Sequence, residues 1–280
     1  MHPVTQHLLA RRGKNVPIND GRKIALVLYG GLMTGIRGAG ALMALVDLGL
    51  GNAFDYIYTA SAGFPNASYM LSGNGRLGSS IYYDELTGSR FLNFLRLWNV
   101  ADIDYIIDVV RNKKKLNLEN IWNSKTKFFV GLQNLQTKQP EYLEIHSYKP
   151  EQYFDIFKAA VSIPYLQPGA IKISGVAYKD GDFTDKDSVQ HLDYVLKTDA
   201  TDIVVIYNRF EHRQNNLPPH DRMLEICPEP EWPLSRFETR PERLKFAWVQ
   251  MGNLVKQTFG DFSEISLEPF ENEPAYAIRN

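Results

Sequence analysis

Two apolar runs, each followed by a turn and a helical repeat, restrict the fold of this chain most strongly. Residues 23–29 (KIALVLY) form a continuous apolar run, which is typical of a strand buried on both faces of a parallel sheet. Residues 39–48 carry apolar side chains at helical spacing, residues 54–59 form a second apolar run, and a second helix is predicted after it. This alternation predicts parallel strands joined by right-handed crossovers. We therefore expect an α/β protein with three layers, α/β/α, and a mainly parallel central sheet.

The rest of the chain continues without a linker that would divide it. With 280 residues and 44% hydrophobic content, it can bury one large core. We read residues 81–124 as helical and the proline-rich residues 215–233 as a surface excursion. Further predicted elements are a hairpin at 127–135 and 141–146, a helix at 153–162, a strand or strand pair at 170–178, a strand at 201–207, a helix at 242–259 and an extended pair in 265–278. We expect residues 1–22 to be a loose N-terminal lead-in and residues 23–280 to be one domain.

Charge and composition exclude several classes of partner. The net charge of -1 and the pI of about 6.6 leave no overall positive field that would recruit nucleic acid. A single cysteine, Cys227, excludes an internal disulfide and fits a reducing compartment. The six histidines show no metal-ligand spacing, so no metal is expected. With no signal-peptide pattern and no apolar run long enough to cross a bilayer, the interpretation is a cytoplasmic protein, at most peripheral to a membrane.

One dense basic cluster, Lys113-Lys114-Lys115, follows an apolar stretch of helical period. Cations at this place are typical of a helix C-terminus, where they suit the helix dipole. The alternative is docking on an anionic membrane surface.

The passage FDYIYTASAGFPNASYM, residues 54–70, places Ser61 at a turn between a strand and a helix. A serine there holds its Oγ out at the C-terminal edge of a sheet, as in the G-x-S-x-G nucleophile elbow. Gly63 supplies the second glycine of that pattern, whereas Thr59 stands in place of the first. Taken alone, a serine in this position is also a common helix N-cap.

Two further pieces could complete a catalytic site around Ser61. Residues 30–35 (GGLMTG) follow the first strand, and glycines there present backbone N–H groups to an anion or a developing oxyanion. Asp180 follows a strand that ends near Tyr178, and its carboxylate could act as general base towards a serine. Each piece has a simpler reading, since Asp-Gly is common in ordinary turns and a glycine loop also binds dinucleotides. The loop lacks the G-x-G-x-x-G spacing that is typical of dinucleotide-binding loops.

In these three pieces, in this order, the chain resembles the patatin-like phospholipases. The matching passages are GGLMTGIRGAGAL from Gly30, FDYIYTASAG through Ser61, and the segment from residue 153 to 185 that contains Asp180. The resemblance implies a Ser–Asp dyad that hydrolyses lipid acyl esters without metal or cofactor. It implies Ser61 as the nucleophile, Asp180 as the base, an oxyanion hole at Gly30, Gly31 and Leu32, and Gly63 as support of the elbow.

The chain departs from the family pattern at four positions. Leu32 replaces the third glycine of the loop, and Thr34 replaces a basic residue for which Arg37 is one substitute. Thr59 puts a β-branched side chain at the elbow, which predicts a relaxed or rotated turn. Asp182 replaces a glycine and would tend to raise the pKa of Asp180.

These departures leave two alternatives to a lipid acyl hydrolase open. One is a catalytically weak or inactive homologue that binds a lipid or a protein partner in the same cleft. The other is a Ser–His–Asp esterase of the α/β-hydrolase type, since His191, His212 and His220 follow Asp180. We read all three histidines as surface residues. The aromatic stretch 91–98 is interpreted as core, with an acyl-chain wall as the alternative.

Overall fold

The computed structural model describes residues 1–96, 99–163, 166, 169–181, 189–213 and 221–266. The α-helices of these residues are α1 (Pro3–Leu9), α2 (Ile36–Asp47), α3 (Gly63–Leu71), α4 (Gly75–Ser80), α5 (Ile103–Asp108), α6 (Leu118–Asn123), α7 (Tyr153–Ala160), α8 (Val189–Leu196) and α9 (Pro241–Thr258). The strands are β1 (Ile24–Leu28), β2 (Tyr56–Ala60), β3 (Lys127–Asn134), β4 (Pro140–Glu144), β5 (Ile171–Ile173), β6 (Val176–Asp180), β7 (Asp202–Ile206) and β8 (Met223–Ile226). A 3-10 turn, Leu32–Gly35, precedes α2, and π-helical turns, Ile81–Glu85 and Val109–Lys113, extend α4 and α5.

The eight strands form one sheet in the order β5-β6-β3-β2-β1-β7-β8, with β4 also paired to β3. Strands β3, β2, β1, β7 and β8 run parallel to one another. Strands β4 and β6 pair with β3 in the antiparallel direction, and so does β5 with β6. Every residue of β1, β2 and β7 is buried, as expected for strands covered on both faces. The prediction of an α/β fold with a mainly parallel sheet is confirmed, and so are the hairpin β3–β4 and the strand pair β5–β6.

Helices cover both faces of this sheet. On one face, Leu26 of β1 belongs to a large apolar cluster with side chains of α2, α3, α7 and α9. On the other face, Val27 belongs to a smaller cluster with Leu192 and Val195 of α8. Since successive side chains of a strand point to opposite faces, one strand supplies both cores. The result is the three-layer α/β/α arrangement that the resemblance implies.

Strands β2 and β6 follow one another along the same edge of β3. Strand β2 pairs with β3 as far as Ala60, which lies opposite Gly131. Strand β6 pairs with the next part of β3 in the antiparallel direction, so that its last residue, Asp180, lies opposite Leu132. The other edge of β3 is occupied by β4 over the same residues. The C-terminal ends of β2 and β6 therefore meet, which brings the residues at these ends together.

The expectation of a loose N-terminal lead-in is wrong. Val4 and Leu8 of α1 are fully buried, and so is Arg11. The Arg11 guanidinium donates hydrogen bonds of 2.7 Å to the carboxylates of Asp20 and Asp55. Because a buried guanidinium needs such partners, the segment is held against the N-terminal ends of the strands.

The reading of residues 215–233 as a surface excursion is also wrong in part, because β8 pairs in parallel with β7 inside this segment. A strand of four residues between prolines is too short to show a period, and its partner edge exists only in the folded sheet. The helical reading of 81–124 fails at residues 91–96 and 99–102, where an antiparallel bridge joins Leu92 and Ala101. Most of the predicted extended pair lies outside the described residues.

Two features bear on membranes. Among the described residues, no helix is both long and apolar enough to cross a bilayer. The basic cluster lies at the end of a π-helical turn, where Lys113 pairs with Glu85 at 3.0 Å and Lys114 with Asp84 at 2.5 Å. These ion pairs favour the reading of the cluster as a helix end.

Candidate active site

Ser61 lies at a sharp turn between β2 and α3. Its φ of +48° is left-handed, a conformation that non-glycine residues rarely adopt and that occurs at strained functional turns. Helix α3 then packs against β1 so closely that a Cβ built on Gly63 would lie 2.7 Å from the carbonyl oxygen of Leu28. Thr59 is fully buried, and its hydroxyl donates a 2.7 Å hydrogen bond to the carbonyl oxygen of Phe129. The hydroxyl of Thr59 is thus satisfied on β3, next to the elbow.

Ser61 and Asp180 are in direct contact. The hydroxyl of Ser61 donates a hydrogen bond of 2.6 Å to Asp180 Oδ2, across 119 positions of the sequence. Ser61 is 5% exposed and Asp180 is fully buried. A Cβ on Gly181 would lie 2.8 Å from the carbonyl oxygen of Gly131, so the chain leaves β6 close against β3. Asp182 lies outside the described residues.

The glycine loop packs on the elbow. A Cβ built on Gly35 would lie 2.6 Å from the Cβ of Ala62, the residue after Ser61. Gly31 has a φ of +137° and Leu32 a φ of +56°, so the leucine adopts the left-handed conformation that glycine would accept more easily. Within the described part of the chain, the N–H groups of Gly31 and Leu32 make no hydrogen bond, whereas that of Met33 donates to the carbonyl oxygen of Arg236.

The structure gives Thr34 and Arg37, two side chains near the loop, roles that the sequence pattern did not predict. The hydroxyl of Thr34 donates to the carbonyl oxygen of Gly31 at 2.8 Å and closes the turn. Arg37 is 4% exposed and donates to the carbonyl oxygens of Asn208 and Trp232, and its burial lowers its pKa to about 10. Its guanidinium braces these segments, so nothing supports it as a substitute for the basic residue of the loop.

Asn208 was missed by the sequence analysis. It follows β7, is 1% exposed, and donates hydrogen bonds of 2.6 and 2.9 Å to the carbonyl oxygens of Tyr29 and Gly30. Its Oδ1 accepts from the N–H of Gly38 at 2.7 Å. The side chain therefore joins the start of the glycine loop to the first turn of α2. A single asparagine after a strand carries no pattern that would have identified it.

An apolar cavity opens beside Ser61. Its volume is about 60 Å³, and its wall includes Leu32, Phe91, Ile106 and Phe157. The polar side chains in the wall other than Ser61 are Asn66, Tyr69 and Tyr82. Asn66 donates to the carbonyl oxygen of Gly35 and accepts from the hydroxyl of Tyr82, and Tyr69 donates to the carbonyl oxygen of Lys114. The polar groups of the wall are thus occupied by the protein, so the cavity suits an apolar occupant. Phe91 is buried and lines this wall, whereas Phe94 and Leu95 are exposed, so the reading of residues 91–98 as core is wrong for these two. Leu97 and Trp98 lie outside the described residues.

The hydrogen bond of Ser61 goes to Asp180, and neither His191 nor His212, the two candidate histidines within the described residues, accepts it. The expectation that His191 lies at the surface is wrong. It belongs to α8, is 4% exposed, and forms a hydrogen bond with the hydroxyl of Tyr142. Burial lowers the pKa of His191 and of His212 to about 4. His220 lies outside the described residues. Within the described residues, no group of three histidine, cysteine or carboxylate side chains could hold a metal ion.

Comparison with known proteins finds distant likenesses among solved structures only. No family model matches the chain, and no curated protein sequence matches it. Among solved structures it is similar to VipD from Legionella pneumophila, with 15% sequence identity and a TM-score of 0.42. The match covers 66% of this chain and 50% of that one, so it spans about half the length of that structure.

Proposed function

We propose that the protein is a serine acyl hydrolase that acts on lipid-like carboxylic esters through Ser61 and Asp180. One observation carries the proposal: the strained Ser61 donates its 2.6 Å hydrogen bond to a buried carboxylate at the wall of an apolar cavity. A nucleophile, a base within reach and an apolar pocket are the parts that acyl transfer from a lipid requires. The order of the motifs along the chain adds support through the resemblance to the patatin-like phospholipases.

The chemistry would proceed in two steps. Ser61 Oγ attacks the ester carbonyl carbon while its proton passes to Asp180, and the carbonyl oxygen becomes an oxyanion. The N–H groups of Gly31 and Leu32 would donate to that oxyanion, with the N-terminus of α3 adding its positive dipole. The intermediate collapses to an acyl-serine, and the leaving alkoxide takes the proton from Asp180. A water then attacks the acyl-serine with Asp180 as base, which releases the carboxylic acid and restores Ser61.

The cavity favours the acyl chain as the part of the substrate that is recognised. Its wall offers apolar contacts, so each methylene buried there would contribute about 0.8 kcal/mol. Esters with longer acyl chains are therefore expected to react with a higher kcat/KM until the cavity is filled.

The departures from the family pattern favour a lower rate than its usual members have. Leu32 keeps its backbone N–H, but Thr34 brings no charge to the loop. If the leucine side chain displaced that N–H from the oxyanion, the loss of one donor would cost about 3 kcal/mol, on the order of a hundredfold in rate. This is the basis of the second candidate function, a protein that binds a lipid in the same cavity without turnover.

A fluorophosphonate probe and a series of p-nitrophenyl esters test the proposal. We expect labelling of Ser61, hydrolysis that rises with acyl length, and loss of turnover in Ser61→Ala and in Asp180→Asn. Matched controls are Ser72→Ala, a buried serine at the end of α3, and Asp202→Asn, a buried carboxylate of β7 that pairs with His7. Both controls should keep labelling and turnover. If the folded protein shows neither labelling nor turnover, the proposal of an enzyme is overturned. Lipid binding that survives Ser61→Ala, with no turnover before or after the substitution, would favour the second candidate.

A further inference from the structure

We propose that Phe94, Leu95 and Phe237 form a docking patch for anionic phospholipid bilayers, and that the arginines flanking them bind the headgroups. The inference rests on the proposed function, because it concerns how a lipid ester would reach Ser61. The name docking patch refers to these three apolar side chains throughout.

The docking patch is apolar and exposed. Leu95 is 91% exposed, Phe94 59% and Phe237 38%. The rings of Phe94 and Phe237 meet edge to face with centroids 5.2 Å apart, so two segments distant in sequence form one surface. Neighbouring exposed apolar side chains of this kind mark an interaction site.

Two short connections place the docking patch beside the cavity. Phe91, which lines the cavity, is three residues before Phe94 in the same loop. Met33, which also lines the cavity, donates its N–H to the carbonyl oxygen of Arg236, the residue before Phe237. Both halves of the patch are thus anchored to residues of the cavity wall. A bilayer in contact with the patch would lie next to the site that takes the acyl chain.

The charge around the docking patch is positive, although the chain as a whole carries -1. Residues 90–102 and 234–243 contain five arginines against three carboxylates, which leaves a net charge of +2. Arg96 pairs with Asp102 at 3.3 Å, and Arg240 and Arg243 share Glu238 at 2.7 and 3.5 Å. Arg90 is exposed and lies over the ring of Tyr105.

Apolar side chains among surplus arginines match a bilayer that carries anionic headgroups, since the arginines reach phosphates while the apolar groups enter the interface. A basic residue near such a surface contributes about 1 kcal/mol, and salt weakens that contribution. The docking patch is therefore favoured over the lysines 113–115 as the membrane contact, because it combines its basic surroundings with the exposed apolar side chains of Phe94, Leu95 and Phe237.

Co-sedimentation with vesicles tests the docking patch separately from catalysis. Ser61→Ala protein is used, so that hydrolysis does not change the vesicles. It should bind vesicles of phosphatidylcholine mixed with phosphatidylserine more strongly than phosphatidylcholine alone, and added salt should weaken the binding. Leu95→Asp and Phe237→Ser, each added to Ser61→Ala, should weaken it about tenfold or more, as expected for one apolar side chain kept out of the interface.

Phe262→Ser is the matched control. Phe262 is 81% exposed and follows the C-terminal end of α9, whereas Phe237 precedes its N-terminal end, and this helix of 18 residues is about 27 Å long. The control should bind like the parent. The docking patch is refuted if the parent does not bind anionic vesicles, or if the patch variants bind as well as Phe262→Ser. Patch variants that alter self-association in sedimentation velocity but not vesicle binding would also refute it, in favour of an interface between copies. Turnover of a soluble short-chain ester by protein with Ser61 intact reports on the proposed function independently.

Discussion

The side-chain amide of Asn208 donates a 2.9 Å hydrogen bond to the carbonyl oxygen of Gly30, the first residue of the glycine loop. With its bonds to Tyr29 and Gly38, it holds the loop that carries the N–H groups of Gly31 and Leu32, which donate no hydrogen bond within the described residues. Asn208 is thus a positioning residue in the proposed reaction.

Asn208→Asp should lower both stability and turnover. The carboxylate keeps an acceptor for the N–H of Gly38 but loses the two donors, so two buried carbonyls lose their partner, at about 1–3 kcal/mol each. A displaced loop should lower kcat for a soluble ester more than it raises KM, which thermal denaturation and steady-state kinetics would measure. Asn134→Ala, at another buried asparagine that ends β3, should lower the melting temperature without this change in kcat. A purely structural role for Asn208 would make the two variants alike.

The left-handed conformation of Ser61 predicts a difference between two substitutions that both remove its hydroxyl. Ser61→Gly should be more stable than Ser61→Ala by about 1 kcal/mol, because glycine accepts a φ of +48° without the steric cost of a Cβ. Urea denaturation of both variants measures the difference. An alanine variant as stable as the glycine variant would argue against strain at this turn.

The contact between α2 and α9 depends on Gly40. A Cβ on Gly40 would lie 2.2 Å from the carbonyl oxygen of Trp248, and backbone atoms of two packed helices cannot easily move apart. Gly40→Ala should therefore destabilise the protein by about 2–3 kcal/mol, measured by urea denaturation. Gly51→Ala is the control, since the nearest atom to its Cβ would be a methyl carbon of Val46, at 3.0 Å, which a small side-chain adjustment relieves. Equal effects of the two substitutions would contradict the close crossing.

The ion pair between Asp20 and Arg11 leads us to expect that the fold loses stability in acid. The hydrogen bond from the Arg11 side chain lowers the pKa of Asp20 from 3.8 to about 2. Since the folded-state pKa is depressed, the carboxylate stabilises the fold above about pH 4, and this contribution is lost as the pH falls towards 2. Asp20→Asn should therefore lower the melting temperature at pH 7, and its difference from the wild type should shrink between pH 4 and pH 2. A difference that does not change over this range would show that Asp20 stabilises the fold in another way.

Much of the fold was predictable because its signals are local. The apolar runs of β1, β2 and β7 and the helical period of α2 and α9 are visible in the sequence, since burial on both faces or on one stripe leaves its own pattern. The short strand β8 and the packed N-terminal segment were missed for the opposite reason. Their stability comes from the edge of β7 and from carboxylates such as Asp55, which are remote in sequence.

By itself, the sequence determined the order of the motifs: a glycine loop after β1, Ser61 after β2 and Asp180 far downstream. Each motif is a local backbone feature, so the residues around it are enough to suggest it. Only the tertiary structure decided that Ser61 and Asp180 lie 2.6 Å apart, because this contact depends on β2 and β6 following one another along the same edge of β3. It also decided that Asn208 holds the loop and that His191 lies buried against Tyr142. Such contacts join residues that are far apart in the sequence, and only the pairing of the strands and the packing of the helices on the sheet bring them together.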